Sequence, residues 1–154
     1  MKNKYPECFP DDFEKLIIAD GAGENLFTYY RISETGMINR DAFKGSFEKR
    51  ISGGSSVFNR DLWRARQEEL DIGDYSTSGY EKYKDVRNLL KCIKKYHHGP
   101  IVMVGRTEPE CGLSMRTKDS RTRPKRNSHI DWWIYRDAHP ELYFKKYIED
   151  QEGE

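Results

Sequence analysis

Residues 81–104 read EKYKDVRNLLKCIKKYHHGPIVMV, and this stretch decides the fold class. Tyr83, Val86, Leu89, Leu90, Ile93 and Tyr96 recur at helical spacing with Lys and Asp between them, which predicts an amphipathic helix over 81–96. His97, His98 and Gly99 close it, and Pro100 forbids its continuation. Ile101-Val102-Met103-Val104 then reads as a buried strand.

Upstream, Asp11 or Asp12 caps a short helix carrying Phe13, Leu16 and Ile17 on one face, and Gly21-Ala22-Gly23 stops it. Residues 26–32, LFTYYRI, are aromatic and β-branched and read as a strand. Asn39 reads as the N-cap of a helix bearing Phe43 and Phe47 at i, i+4. Gly53-Gly54-Ser55-Ser56 reads as a loop, residues 62–70 as a short helix, and residues 75–78, YSTS, as a short strand. Downstream, residues 113–117 pair with the 101–104 strand across the 109–112 turn. Residues 129–135 alternate in strand fashion around Trp132 and Trp133, whose side chains therefore face opposite sides, one of them into the core. Pro140 opens a last short helix through Tyr147. Short strands with scattered helices favour an α+β fold over a doubly wound parallel sheet. The expectation is one domain over residues 1–154, with a mixed or antiparallel sheet of short strands and three to five helices around it.

Composition supports a packed domain. Aromatic residues make up 13% of the 154-residue chain, which argues against disorder and lets a core form from only 36% hydrophobic residues. The net charge is +1, from 27 basic and 26 acidic residues, so no overall field draws the chain to nucleic acid or an anionic membrane. The charge is uneven, however: a basic loop at 116–128 contrasts with an acidic tail at 149–154. No apolar run is long enough to span a bilayer, and the first residues lack the apolar core of a secretory signal, so no membrane partner is expected. Cys8, Cys92 and Cys111 are odd in number and widely spaced; the reading is a reduced, cytoplasmic protein with neither disulfide nor metal site.

Walker, dinucleotide-binding, nucleophile-elbow and zinc-protease signatures are missing from the sequence. Candidate chemistry lies in three segments: Tyr30-Arg31, then Ser76-Thr77-Ser78 beside Tyr75 and Tyr80, then Glu108-Pro109-Glu110. An arginine at a strand end can hold phosphate bidentately, and serine and threonine hydroxyls can brace it. A carboxylate beyond them can bind a ribose hydroxyl and stabilise an oxocarbenium-like centre, as cleavage of the glycosidic bond in NAD needs. Each segment also has a structural reading: a surface ion pair for Arg31, a strand edge for 76–78, solvated turn acids for Glu108 and Glu110. His129 and Asp131, two apart on a strand, share a face and join the candidates as an acid/base or ligand-binding pair, or as buried strand residues.

The order of these segments resembles the arginine–serine–glutamate pattern of the ADP-ribosyltransferase superfamily. The resemblance implies that Arg31 contacts the dinucleotide phosphates, Ser76 with Thr77 and Ser78 supports the site, Glu110 is catalytic and Glu108 is the target-side acid. Tyr30, Tyr80 and His129 complete the expected substrate-binding set. NAD is then the substrate, and no metal is required.

A second expectation is non-enzymatic. Arg116, Arg121, Arg123, Lys125 and Arg126, together with Lys118, crowd one loop, with Trp132, Trp133 and Tyr135 close behind. Such a loop suits nucleic acid, a nucleotide or an acidic protein through charge and stacking, in a regulatory or interaction module.

Overall fold

Asp12 turns the chain into helix α1 (Phe13–Asp20) through a left-handed backbone, and Gly21, at φ 124°, ends it by donating to the carbonyls of Ile17 and Ile18. The structure is a computed structural model that describes residues 4–51, 61, 70–94, 99–125 and 127–148. The glycine–serine loop at 53–56, the helix expected over 62–70 (but for Leu70), His97, His98, Arg126 and the tail at 149–154 lie outside the described residues.

Six strands form one antiparallel sheet, and with three α-helices among the described residues the fold is α+β. In chain order they are β1 (Thr28–Ser33), β2 (Thr77–Tyr80), β3 (Ile101–Arg106), β4 (Gly112–Arg116), β5 (His129–Ile134) and β6 (Lys145–Lys146). Their order across the sheet is β4-β5-β2-β1-β3-β6. The expected pairing of residues 113–117 with the 101–104 strand does not form: β4 pairs with β5, and β3 lies between β1 and β6. The turn at 107–111 is thus a crossing between distant strands. Helices α2 (Ser46–Ile51) and α3 (Tyr83–Ile93) complete the regular structure, with short 3-10 turns between. Asn39 does cap, accepting from the Ala42 N–H, but it caps a 3-10 turn at Arg40–Phe43. Phe47 sits on the separate α2. Gly45 separates the two because a Cβ there would lie 2.6 Å from the Ser76 carbonyl oxygen. The last expected helix is a 3-10 turn, Pro140–Tyr143, followed by β6.

Strand alternation divides the core between the two sheet faces. On one face Phe13 and Ile17 of α1 pack with Tyr75, Leu113, Met115 and Trp133, while Val86 of α3 packs on Ile32 and Val102. Leu16 turns outward at 50% exposure, so the buried stripe of α1 is Phe13, Ile17 and Asp20. On the other face Tyr29, Phe43, Met103, Ile130, Trp132, Ile134 and Phe144 cluster. Trp132 and Trp133 are both fully buried, one on each face, so β5 is covered on both sides.

Tyr29 packs its ring against the backbone of Gly79 and donates its hydroxyl to the Thr77 carbonyl at 2.6 Å. A Cβ at Gly79 would stand 2.3 Å from that ring. Gly79→Ala should therefore lower unfolding stability by about 2–3 kcal/mol, as overpacking of a closed core does. Urea denaturation checks this; an unchanged midpoint would refute the packing described.

Candidate functional site

β1 and β3 stay in register over six residue pairs, from Thr28–Arg106 to Ser33–Ile101. β1 and β2 share one, Tyr30–Tyr80, and then part. Arg31 stands in the fork. Its Nη1 donates to the Ser78 carbonyl at 2.5 Å, its Nε to Ala42 at 2.8 Å and its Nη2 to Lys44 at 2.8 Å. The guanidinium replaces ladder hydrogen bonds that the parted strands do not make. It also anchors residues 42–44 to the sheet, through charged hydrogen bonds of about 1.5–3 kcal/mol each. Arg31 is thus engaged with backbone, with three of its five N–H groups committed to carbonyls.

The fork opens a cleft of about 490 Å³. Ile32, Val86, Leu89 and Ile93 form an apolar wall, and Arg31, Glu34, Lys49, Ser78 and Tyr80 a polar rim. A second hollow of about 310 Å³ shares Arg31, Ile32, Glu34 and Lys49 and continues toward Asn39 and Asp41. Lys49 meets Glu34 at 3.3 Å across this mouth. Three expected site residues therefore gather here: Arg31, Ser78 and Tyr80.

The others are dispersed. Ser76 and Ser78 face one side of the sheet, while Thr77 faces the other and donates to the Phe43 carbonyl at 2.6 Å. Tyr30 packs edge-on with Tyr83 and Tyr147. Glu108 and Glu110 lie in the turn beyond Arg106, at the opposite end of β1 from the fork, and exposed Glu110 accepts from the Tyr143 hydroxyl at 2.9 Å. From Met103, opposite Arg31, to Arg106 is already roughly 10 Å of strand.

Ser76 belongs to a buried polar network between α1 and the sheet. Its hydroxyl donates to Asp131 at 2.7 Å, and the Thr117 hydroxyl donates to the other Asp131 oxygen at 2.8 Å. Because that hydroxyl has one proton, His129, 2.6 Å away, must donate to it from Nδ1. Burial pushes the His129 imidazole down to about 4; Asp131 opposes the shift, and Lys125, Arg123 and Arg31 add to it. His129 and Asp131 share a face as expected, but they are 4% and 1% exposed, closed off from solvent.

The basic loop is largely a strap over this network. Asp20, at the end of α1, accepts from the Ser120 hydroxyl, the Arg121 and Thr122 amides and the Thr122 hydroxyl. Burial alone would raise its carboxyl, but these bonds and the Arg123 charge outweigh burial and hold it below the usual range. Arg123 lies 3.0 Å from Asp131 and packs toward the Trp133 ring. Arg116 binds both Glu81 oxygens at 2.8 Å and lies over the Phe27 ring. Lys118, Arg121 and Lys125 remain exposed on the loop. Trp132 and Trp133 are buried and give the loop no stacking platform.

Sequence reasoning missed Asp20, Thr117, Glu34 and Lys49. Asp20 carries a local signal, an acid just before the glycine that ends a helix, where the dipole disfavours it. The other three have no local signature. Among the described residues, no group of three or more His, Cys, Asp or Glu side chains is placed to hold a metal, and no helix is long and apolar enough to cross a membrane.

The buried network makes the fold acid-sensitive. Unfolded His129 titrates near its ordinary value of about 6.5. The folded side chain resists protonation down to about 4. Stability from this group is complete above pH 6.5 and falls as pH drops below it, by on the order of 2 kcal/mol at pH 5. The contribution of Asp20 is lost only at lower pH, as its depressed carboxyl protonates. Urea midpoints at pH 7 and pH 5 should differ for the native chain and much less for His129→Gln. An equal drop in both would show that His129 is not the sensor.

Compared with known proteins, the chain matches no family model, no curated protein and no solved structure.

Proposed function

We propose that the protein binds a nucleotide-type ligand in the cleft at the β1–β2 fork. The observation that carries this reading is the pairing, in one cavity of about 490 Å³, of an apolar wall with a cationic, hydroxyl-bearing rim. The volume falls in the range of small-molecule sites. A base or nicotinamide ring would lie on Ile32, Leu89 and Ile93, with phosphates toward Lys49 and the outer N–H groups of Arg31. Ser78 and Tyr80 supply hydroxyls for ribose.

Cleavage of NAD at such a site is a second reading, favoured by one feature: Glu34 lines both hollows. Heterolysis breaks the ribose C1′–N bond, and nicotinamide leaves with the electron pair. A carboxylate beside the ribose stabilises the resulting cation until water or another nucleophile captures it. In this geometry Glu34 takes the role that the sequence pattern gives to Glu110.

Saturating NAD, ADP-ribose or ATP should raise the melting temperature by about 5–10 °C, if concentrations reach roughly a hundred times Kd. Leu89→Asp, which sets a negative charge on the exposed rim of the wall, should abolish the shift, and Lys125→Glu on the strap should leave it. Nicotinamide release that stops in Glu34→Gln but persists in Glu110→Gln would support the catalytic reading. Absence of any shift with all three ligands would overturn the binding proposal.

A further inference from the structure

Helix α3 buries one side and presents the other to solvent. Val86 is fully buried, with Tyr83, Leu90 and Ile93 packed beside it. Lys84, Arg87, Asn88, Lys91, Cys92 and Lys94 are exposed. At 100° per residue, Lys84, Arg87, Lys91 and Lys94 fall on one outward stripe about 15 Å long. Asp85 is the helix's acid, and it turns off the stripe to accept from the Ser128 amide at 3.1 Å and hydroxyl at 2.5 Å.

The stripe continues past the helix N-terminus into a cleft of about 190 Å³ whose lining includes Lys82, Lys84, Arg116, Lys118 and Asn127. Glu81 and Asp85 also border this cleft, Glu81 held bidentately by Arg116 and Asp85 bonded to Ser128. Asp119, next to Lys118 in the chain, is exposed.

This arrangement disfavours the isolated helix. Lys82 and Lys84 sit at the positive end of the helix dipole, where cations are unfavourable. Lys91 and Lys94 are like charges one turn apart, which repel. The N-cap residue, Lys82, makes no capping hydrogen bond with its side chain. Bound anions would relieve all three.

We propose that this face, the outer stripe of α3 with Lys82 and Lys118, contacts the phosphate backbone of nucleic acid without reading its sequence. The composition of the face selects this partner over others. A protein interface needs an apolar or aromatic centre from which charges are depleted, and this stripe carries neither aliphatic nor aromatic residues. A membrane-surface helix inserts its apolar face; that face of α3 packs on the sheet through Val86 and Leu90 and lines the fork cleft through Leu89 and Ile93. Contacts to backbone phosphates need cations alone. Of the strap, Lys118 belongs to this face, while Arg116 and Arg123 are engaged with Glu81 and Asp131.

The test is fluorescence anisotropy of the full chain with a labelled 20-base-pair DNA duplex between 20 and 200 mM salt. Six phosphate contacts, one for each cation of the face, predict a log–log slope of about −5. The variant K84E/R87E/K91E should weaken binding by about 30-fold or more and flatten the slope. K84Q/R87Q/K91Q, which keeps helical residues and adds no negative charge, should weaken it less but in the same direction, with circular dichroism unchanged. R121E/K125E on the strap should stay within about threefold of the native chain. Equal binding by the α3 variants, or binding to phosphatidylserine vesicles without binding to the duplex, would overturn the proposal.

Discussion

Three carbonyl oxygens converge on one guanidinium, and the rest of the molecule is arranged around that meeting. Arg31 reaches Ser78 across a gap in the sheet and Ala42 and Lys44 on the chain that covers it. An ordinary β1–β2 ladder would have closed the gap with backbone bonds. With one residue pair in register, the strands separate, and the side chain supplies the missing donors. The same contact seats residues 42–44, which brings Phe43 under Trp132 and Phe144 and leads into α2, where Phe47 reaches Tyr75. The cleft therefore follows from the staple, since the open fork is both a structural solution and a cavity.

A second polar centre does comparable work on the other side of β2. Asp131 and Asp20 are buried acids, and one arginine, Arg123, stands between them. Isolated buried charges are expensive, so each carboxylate collects several donors. Apart from Ser76, those donors come from residues 117–123, and a segment that reads in sequence as a solvated basic loop is drawn down over the sheet. Its charge is in part the counter-charge of the core. The polar network also fixes the tautomer of His129, while burial keeps it neutral.

Charge is consequently distributed by role. Arg31, Arg116 and Arg123 hold the fold together, Arg31 and Arg116 with planar, multiply donating geometry that lysine cannot copy. The outward surface of α3 carries Lys84, Arg87, Lys91 and Lys94, all of them exposed, across the helix from its buried side. A net charge of +1 conceals this division.

Much of the fold was legible locally. The spacing of Tyr83, Val86, Leu90 and Ile93, followed by Pro100 and four apolar residues, determined a helix and then a strand, because periodicity and proline act within a few residues. Alternation in 129–134 likewise determined that the two tryptophans point apart. Strand order was not legible: β4 joins β5 rather than β3, a choice made by which apolar faces can be covered together. The candidate residues divide the same way. The sequence marked Arg31, Ser76, Ser78, Tyr80, His129 and Asp131 as polar groups on strands, but it was silent on their partners. Whether Arg31 meets a phosphate or a carbonyl, and whether Glu110 or Glu34 borders the same cavity, depends on segments brought together from distant parts of the chain. Residue types and their periods are properties of the sequence itself; the company each side chain keeps exists only once the sheet has assembled.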